Sequence, residues 1–120
     1  MPEYKLFPAE YRMMDLLWDR EPITSPQLVK LCNEKFGWKS TTTFTQIKRM
    51  IDRGFLINEK TVLTALVKRE QVEQYDSEEI IESRFKGSLP KFVTAFINSK
   101  KLTQEEISEL KRLLDEHQEE

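Results

Sequence analysis

A mainly α-helical fold carrying one small β-hairpin is predicted by three observations on this 120-residue sequence. Apolar residues recur at helical spacing in six stretches, and its three glycines stand where three of those stretches should stop. One interval between the third and fourth stretches is β-branched instead, with Thr61, Val62, Thr64 and Val67. Helix, helix, helix, hairpin is the order of a winged helix-turn-helix head. The remaining helices then form a C-terminal helical dimerisation domain.

Each element has its own signals. The helices are expected at Pro8 to Asp19, Pro26 to Phe36, Thr41 to Arg53, Ser77 to Phe85, Ser88 to Asn98 and Gln104 to about His117. Ser25 offers a hydroxyl cap with Pro26 in the first helical position, Ser40 precedes the threonine-rich helix, and Thr103 with Glu106 forms a capping box. Gly37, Gly54 and Gly87 follow the second, third and fourth helices as C-terminal caps. The hairpin is expected from Phe55 to Glu59 and from Thr64 to Arg69, around a polar segment at Lys60 and Thr61. A plain helical bundle is the competing fold, but the β-branched residues speak against it. The domain boundary is expected at residue 70, where Gln and acidic residues replace the apolar alternation, giving domains 1–70 and 71–120.

Charge divides along the chain in the same way. Residues 1–70 hold 12 Lys/Arg against 9 Asp/Glu, and residues 71–120 hold 7 against 12, within a net charge of -2. A mildly basic head facing a polyanion and an acidic module facing elsewhere fit that division. No apolar run is long enough to span a bilayer, and Met1 to Phe7 lacks the basic start and apolar stretch of a leader, so a cytoplasmic protein with no membrane partner is expected. Cys32 is the single cysteine and stands on an apolar helix face beside Leu28 and Leu31, which implies a packed thiol. His117 stands alone near an acidic terminus. No metal site, cofactor, glycine-rich phosphate loop or catalytic constellation is legible, and no enzyme is expected.

The third helix carries the functional signal. At 100° per residue Thr43, Phe44, Ile47, Met50 and Ile51 gather on one side, expected to be core, while Thr42, Thr45, Arg49 and Asp52 gather on the other. Compact hydroxyls let a helix enter the major groove, and arginine can grip guanine or phosphate. The DNA-contacting set is therefore expected to be Lys39, Thr41, Thr42, Thr45, Lys48 and Arg49, with Lys60 on the wing and Arg53 near the edge of the face. In a helix-turn-helix the preceding helix crosses the backbone while this one lies in the groove.

The C-terminal helices present more apolar surface than two short helices can hide between themselves. Phe92, Phe96, Ile97, Ile107, Leu110, Leu113 and Leu114 are expected to build a twofold dimer interface. Double-stranded operator DNA and a second copy of the chain are thus the expected partners. The competing function is a protein-interaction adaptor whose winged helix has lost DNA binding, favoured by the acidic pI of about 5.6.

Trp18 to Glu21, Ser25-Pro26, Gly37-Trp38-Lys39, Thr42, Thr45 and the run Ile47 to Gly54, followed by Phe85-Lys86-Gly87-Ser88, Phe96 and Leu102 to Ile107, together resemble the penicillinase repressor family. The resemblance covers nearly the whole chain. It implies homodimeric repressors that bind dyad operators through the helix at Thr41 to Arg53, with family contacts falling on Thr42, Thr45, Lys48 and Arg49. Two departures bear on function. The wing here reads Asn58 to Ala65 without the glycine common in family wings and with Lys60 as its only basic residue, and no cysteine follows Cys32, against the metal motif of copper-responsive relatives. In the β-lactam-responsive members a sensor-linked protease cuts an Asn-Phe bond, and the matching position here is Ala95-Phe96. Loss of the amide argues against cleavage there, so induction is expected to use another bond, a ligand or another partner, with a sensor or protease still among the candidate partners.

Overall fold

The computed structural model describes residues 3–118; Met1 and Pro2, which begin the stretch read for a leader, and the terminal Glu119 and Glu120 lie outside the described residues. Helix α1 spans Pro8–Arg20, with proline in its first turn and the Phe7 N–H donating to Glu10 Oε1 at 2.8 Å. Its buried residues Met13, Met14 and Leu17 repeat at three and four, which fixes one face in the core.

A two-residue strand, β1 (Ile23–Thr24), precedes helix α2 (Ser25–Phe36). Too short to leave a pattern, β1 is absent from the sequence-based expectation. It also changes the cap. Thr24, not Ser25, closes the start of α2, accepting from the Gln27 N–H at 3.2 Å while Gln27 Oε1 accepts from the Thr24 N–H at 3.0 Å. Ser25 instead lies buried in the first turn, where its N–H donates to the Thr61 carbonyl at 2.9 Å. Gly37 ends α2 at φ +70°, a conformation that costs glycine nothing.

Helix α3 (Ser40–Asp52) buries Thr43, Ile47 and Met50. Strands β2 (Leu56–Glu59) and β3 (Val62–Ala65) follow, in the sheet order β1-β3-β2. Glu59 pairs with Val62 and Leu56 with Ala65, so the hairpin turns on Lys60 and Thr61 alone. Both have positive φ, +51° and +76°, as the two-residue turns that match strand twist require. This tight turn places β3 at Val62–Ala65 rather than from Thr64 to Arg69. Beyond Ala65 the chain leaves the sheet, Leu66 and Val67 donating their N–H groups to the Phe55 carbonyl at 2.8 and 3.3 Å.

Helix α4 (Arg69–Phe85) starts well before the expected Ser77. The Lys68 N–H is capped by Gln71 Oε1 at 2.8 Å, and Val72 is fully buried in the core of the head. The Gln- and Glu-rich stretch after residue 70 is thus good helix-forming sequence anchored by one valine and by Arg69. The described residues form two compact units, one up to Glu78 and one from Glu79, a division that falls inside α4.

The core of the first unit joins Met13, Leu17, Leu28, Met50, Phe55 and Leu63 from all three head helices and the sheet. Trp18 packs against it and donates its indole N–H to the Val67 carbonyl at 3.0 Å. Cys32 is fully buried, and burial pushes its thiol above the usual range, away from the thiolate that reactivity needs. The second unit holds α5 (Leu89–Ser99), capped by the Ser88 hydroxyl, and α6 (Gln104–Glu116), opened by the Thr103–Glu106 capping box.

Candidate nucleic-acid interface

Burial of Thr43, Ile47 and Met50 turns the opposite face of α3 to solvent. Thr41, Thr42, Thr45, Lys48, Arg49 and Asp52 are all exposed on the helix, with Lys39 exposed at its N-terminal cap position. Phe44, expected in the core, is instead 49% exposed on the flank of that face, because the buried arc narrows to three residues with Ile51 half-buried beside it.

Side-chain bonding on this face decides what each group can offer. The Thr45 hydroxyl donates to the Thr41 carbonyl at 2.8 Å, so its proton is occupied while its oxygen can accept and its methyl is free. Lys48 pairs with Asp52 at 3.2 Å, both side chains largely exposed, which partly neutralises the one acid on the face. The Arg49 side chain has no hydrogen bond or ion pair among the described residues. Its guanidinium is available to an external anion or base edge. A small cleft of about 240 Å³ runs between Thr41, Thr42, Thr45 and Gln46, adding Gln46 to the residues that the sequence had not singled out.

Arg53 does not join this face. It donates to Glu10 Oε1 at 3.0 Å and to the Lys5 carbonyl at 2.5 Å, and its guanidinium lies 4.8 Å from the centre of the Phe55 ring. The nearly fully buried Glu10 carboxylate needs that partner, so Arg53 is structural.

Lys60 is exposed at the tip of the wing, which is held close to the head. The Thr61 carbonyl accepts from both the N–H and the hydroxyl of Ser25, the second at 3.3 Å, while the Thr61 N–H donates to Asn58 Oδ1 at 3.0 Å.

In the second unit the apolar residues read from the sequence separate into two groups. Ile97, Ile107, Leu110 and Leu114 line one groove of about 470 Å³ together with Val93 and Leu102. Phe96 and Leu113, at 45% and 47% exposure, are not part of its lining, and Phe92 is half-buried against the Phe85 ring at 5.3 Å. Ala95 and Phe96 lie in mid-helix in α5, both exposed. Among the described residues, no group of three or more His, Cys, Asp or Glu is placed to hold a metal ion, and no helix is long and apolar enough to cross a membrane.

Comparison with known proteins gives this geometry its context. The family profile described as penicillinase repressor matches residues 6–116, from the arm before α1 to the end of α6. The chain belongs to the penicillinase repressor family. The methicillin resistance regulatory protein MecI of Staphylococcus aureus (strain N315) is 24% identical over 116 residues, covering 93% of this chain and 94% of its own length. The penicillinase repressor of Bacillus licheniformis is 26% identical over 113 residues, covering 91% and 88%. A Staphylococcus aureus MarR in complex with salicylate and kanamycin has a TM-score of 0.48 at 14% identity, covering 92% of this chain and 70% of that one.

As a member of the penicillinase repressor family the chain has a winged-helix head, and its element order of helix, strand, two helices and a hairpin is that of the fold. Within this fold α3 is the second helix of the helix-turn-helix pair α2–α3.

Proposed function

We propose that the chain is a homodimeric, sequence-specific repressor that occludes a promoter by binding a dyad operator through α3. One observation carries this reading: α3 buries one face and turns to solvent a row of threonines ending in Arg49, a guanidinium without a partner among the described residues. Short hydroxyl side chains admit the helix to the major groove, and the unpaired arginine is free to grip a guanine edge or a backbone phosphate. Lys39, Thr41, Thr42 and Lys48 hold the phosphates to either side, and Lys60 reaches at most one more. The apolar groove of the second unit supports pairing of two chains, which matches a protein dyad to an operator dyad. Both curated relatives reported above are named as regulators of resistance or penicillinase, consistent with repression.

Selection of bound fragments from the source genome, followed by footprinting, tests the reading. A palindromic footprint whose affinity falls steeply with salt is expected. Salt-insensitive or undetectable binding to duplex DNA would instead assign the head to protein interaction.

Relief of repression is proposed to proceed without cutting Ala95-Phe96. A protease pocket built to hydrogen-bond a side-chain amide discriminates against alanine. Intact-mass measurement of the protein in cells exposed to a β-lactam should show the full chain, whereas fragments ending at Ala95 would overturn this.

A further inference from the structure

Beside the recognition face lies a second cleft, of about 470 Å³, lined by Glu3, Lys5, Phe7, Glu10, Arg49 and Arg53. Its charges are not equivalent. Arg53 and Glu10 are joined at 3.0 Å, and Glu10 Oε1 also accepts the Phe7 N–H. The second oxygen of Glu10 is buried, so this acid is committed inward. Lys5 and Arg49 remain, each without an ion-pair partner among the described residues. The Lys5 ammonium lies 5.8 Å from the centre of the exposed Phe7 ring, which restricts where the side chain reaches. Glu3 is the one opposing charge left on the rim.

We infer that Lys5 and Arg49 form a clamp for one backbone phosphate of duplex DNA, placing the arm before α1 on the DNA beside the recognition helix. This deepens the proposed repressor reading and rests on it. Arg49 belongs to both the outer face of α3 and the cleft, so a strand followed by α3 passes the cleft mouth. Two cations flanking a cleft of this size suit a single phosphate, and the contact carries no sequence information. The Lys5 backbone is already fixed, because its carbonyl accepts from Arg53. That bond pre-orders the arm, so little freedom is lost when the side chain engages the anion.

Lys5→Ala is the test, since it keeps the carbonyl that Arg53 uses and should fold as the parent does. Binding of full-length protein to a labelled duplex is measured across a salt series, with thermal melting as the folding control. Lys5→Ala should weaken binding roughly threefold to tenfold at moderate salt and lower the slope of log K against log salt by about one, alike for operator and unrelated duplexes. Lys5→Arg should retain parental behaviour. A parental slope and affinity in Lys5→Ala, with the parent binding DNA normally, overturns the clamp and leaves the repressor reading intact. Failure of the parent itself to bind duplex DNA overturns both. Inorganic phosphate at constant ionic strength distinguishes a free anion from the DNA backbone: competition with DNA in the parent that is lost in Lys5→Ala supports the clamp. Phosphate binding to the parent that is lost in Lys5→Ala while DNA affinity is unchanged would assign the cleft to the free anion and overturn it.

Discussion

Arg49 separates a reading helix from a merely solvated one at the scale of a single side chain. Its neighbours on α3 are already engaged, Thr45 with the Thr41 carbonyl and Lys48 with Asp52, whereas Arg49 is not. Arg49→Ala should weaken operator binding by about 1 to 3 kcal/mol while the melting temperature and oligomeric state stay unchanged. Titration of labelled operator checks this, and unchanged affinity in a folded variant would remove α3 from the reading role. The angular pattern of the helix made Arg49 legible in the sequence, since the apolar positions alone orient its face. It misplaced Phe44, because 100° spacing assigns a side and cannot say how wide the buried arc is. Arg53 and Lys5 were illegible for another reason: the Glu10–Arg53 contact joins residues 43 positions apart, and no local pattern encodes it.

At the scale of the element, the wing shows a local choice that opposes its own geometry. Lys60 and Thr61 both adopt positive φ, where a β-branched residue is strained, and neither side chain is buried. The bonds that hold the tip, from Ser25 to the Thr61 carbonyl and from the Thr61 N–H to Asn58, use Thr61 main-chain atoms and survive loss of its side chain. Thr61→Gly should therefore stabilise the protein by about 1 kcal/mol, read as a higher melting temperature. No change, or a fall, would show that strain at the tip is not the controlling term.

Helix α4 makes the complementary case. Arg69 donates to Asp15 Oδ1 and Asp19 Oδ1, each at 2.8 Å, and lies over the Trp18 ring, so the first turn of α4 is tied to α1. Arg69→Ala should lower stability by about 1 kcal/mol or less, given the partial exposure of the pairs, and speed amide exchange at residues 69–74 more than in α1. Equal exchange in both helices would place the anchor elsewhere. Neither the early start of α4 nor β1 was legible, because each depends on a distant partner rather than on its own periodicity: Asp15 and Asp19 for one, Leu63 and Val62 for the other. The caps at Thr103 and Gly37 were legible because their signals are local.

For the whole molecule, the decisive quantity is the apolar surface that the second unit leaves open. Ile97, Ile107, Leu110 and Leu114 line one groove and are 39% to 65% exposed. Completing the burial of four such side chains on each of two copies contributes on the order of 10 kcal/mol, taking half of the full transfer value for each. Association itself costs roughly 4 to 15 kcal/mol in lost freedom, so the groove alone gives a weak dimer at best. A dimer stable enough to hold an operator must also cover Phe96 and Leu113, which lie outside the groove lining but on the same two helices. Two substitutions separate these contributions. Leu110→Glu places a charge in the groove and should yield monomers in sedimentation, with loss of operator binding although the head still melts cooperatively. Leu113→Glu should do the same if the interface extends as the energies demand. A dimeric Leu113→Glu beside a monomeric Leu110→Glu would confine the interface to the groove, and a parent that sediments as a monomer would remove the twofold assembly altogether.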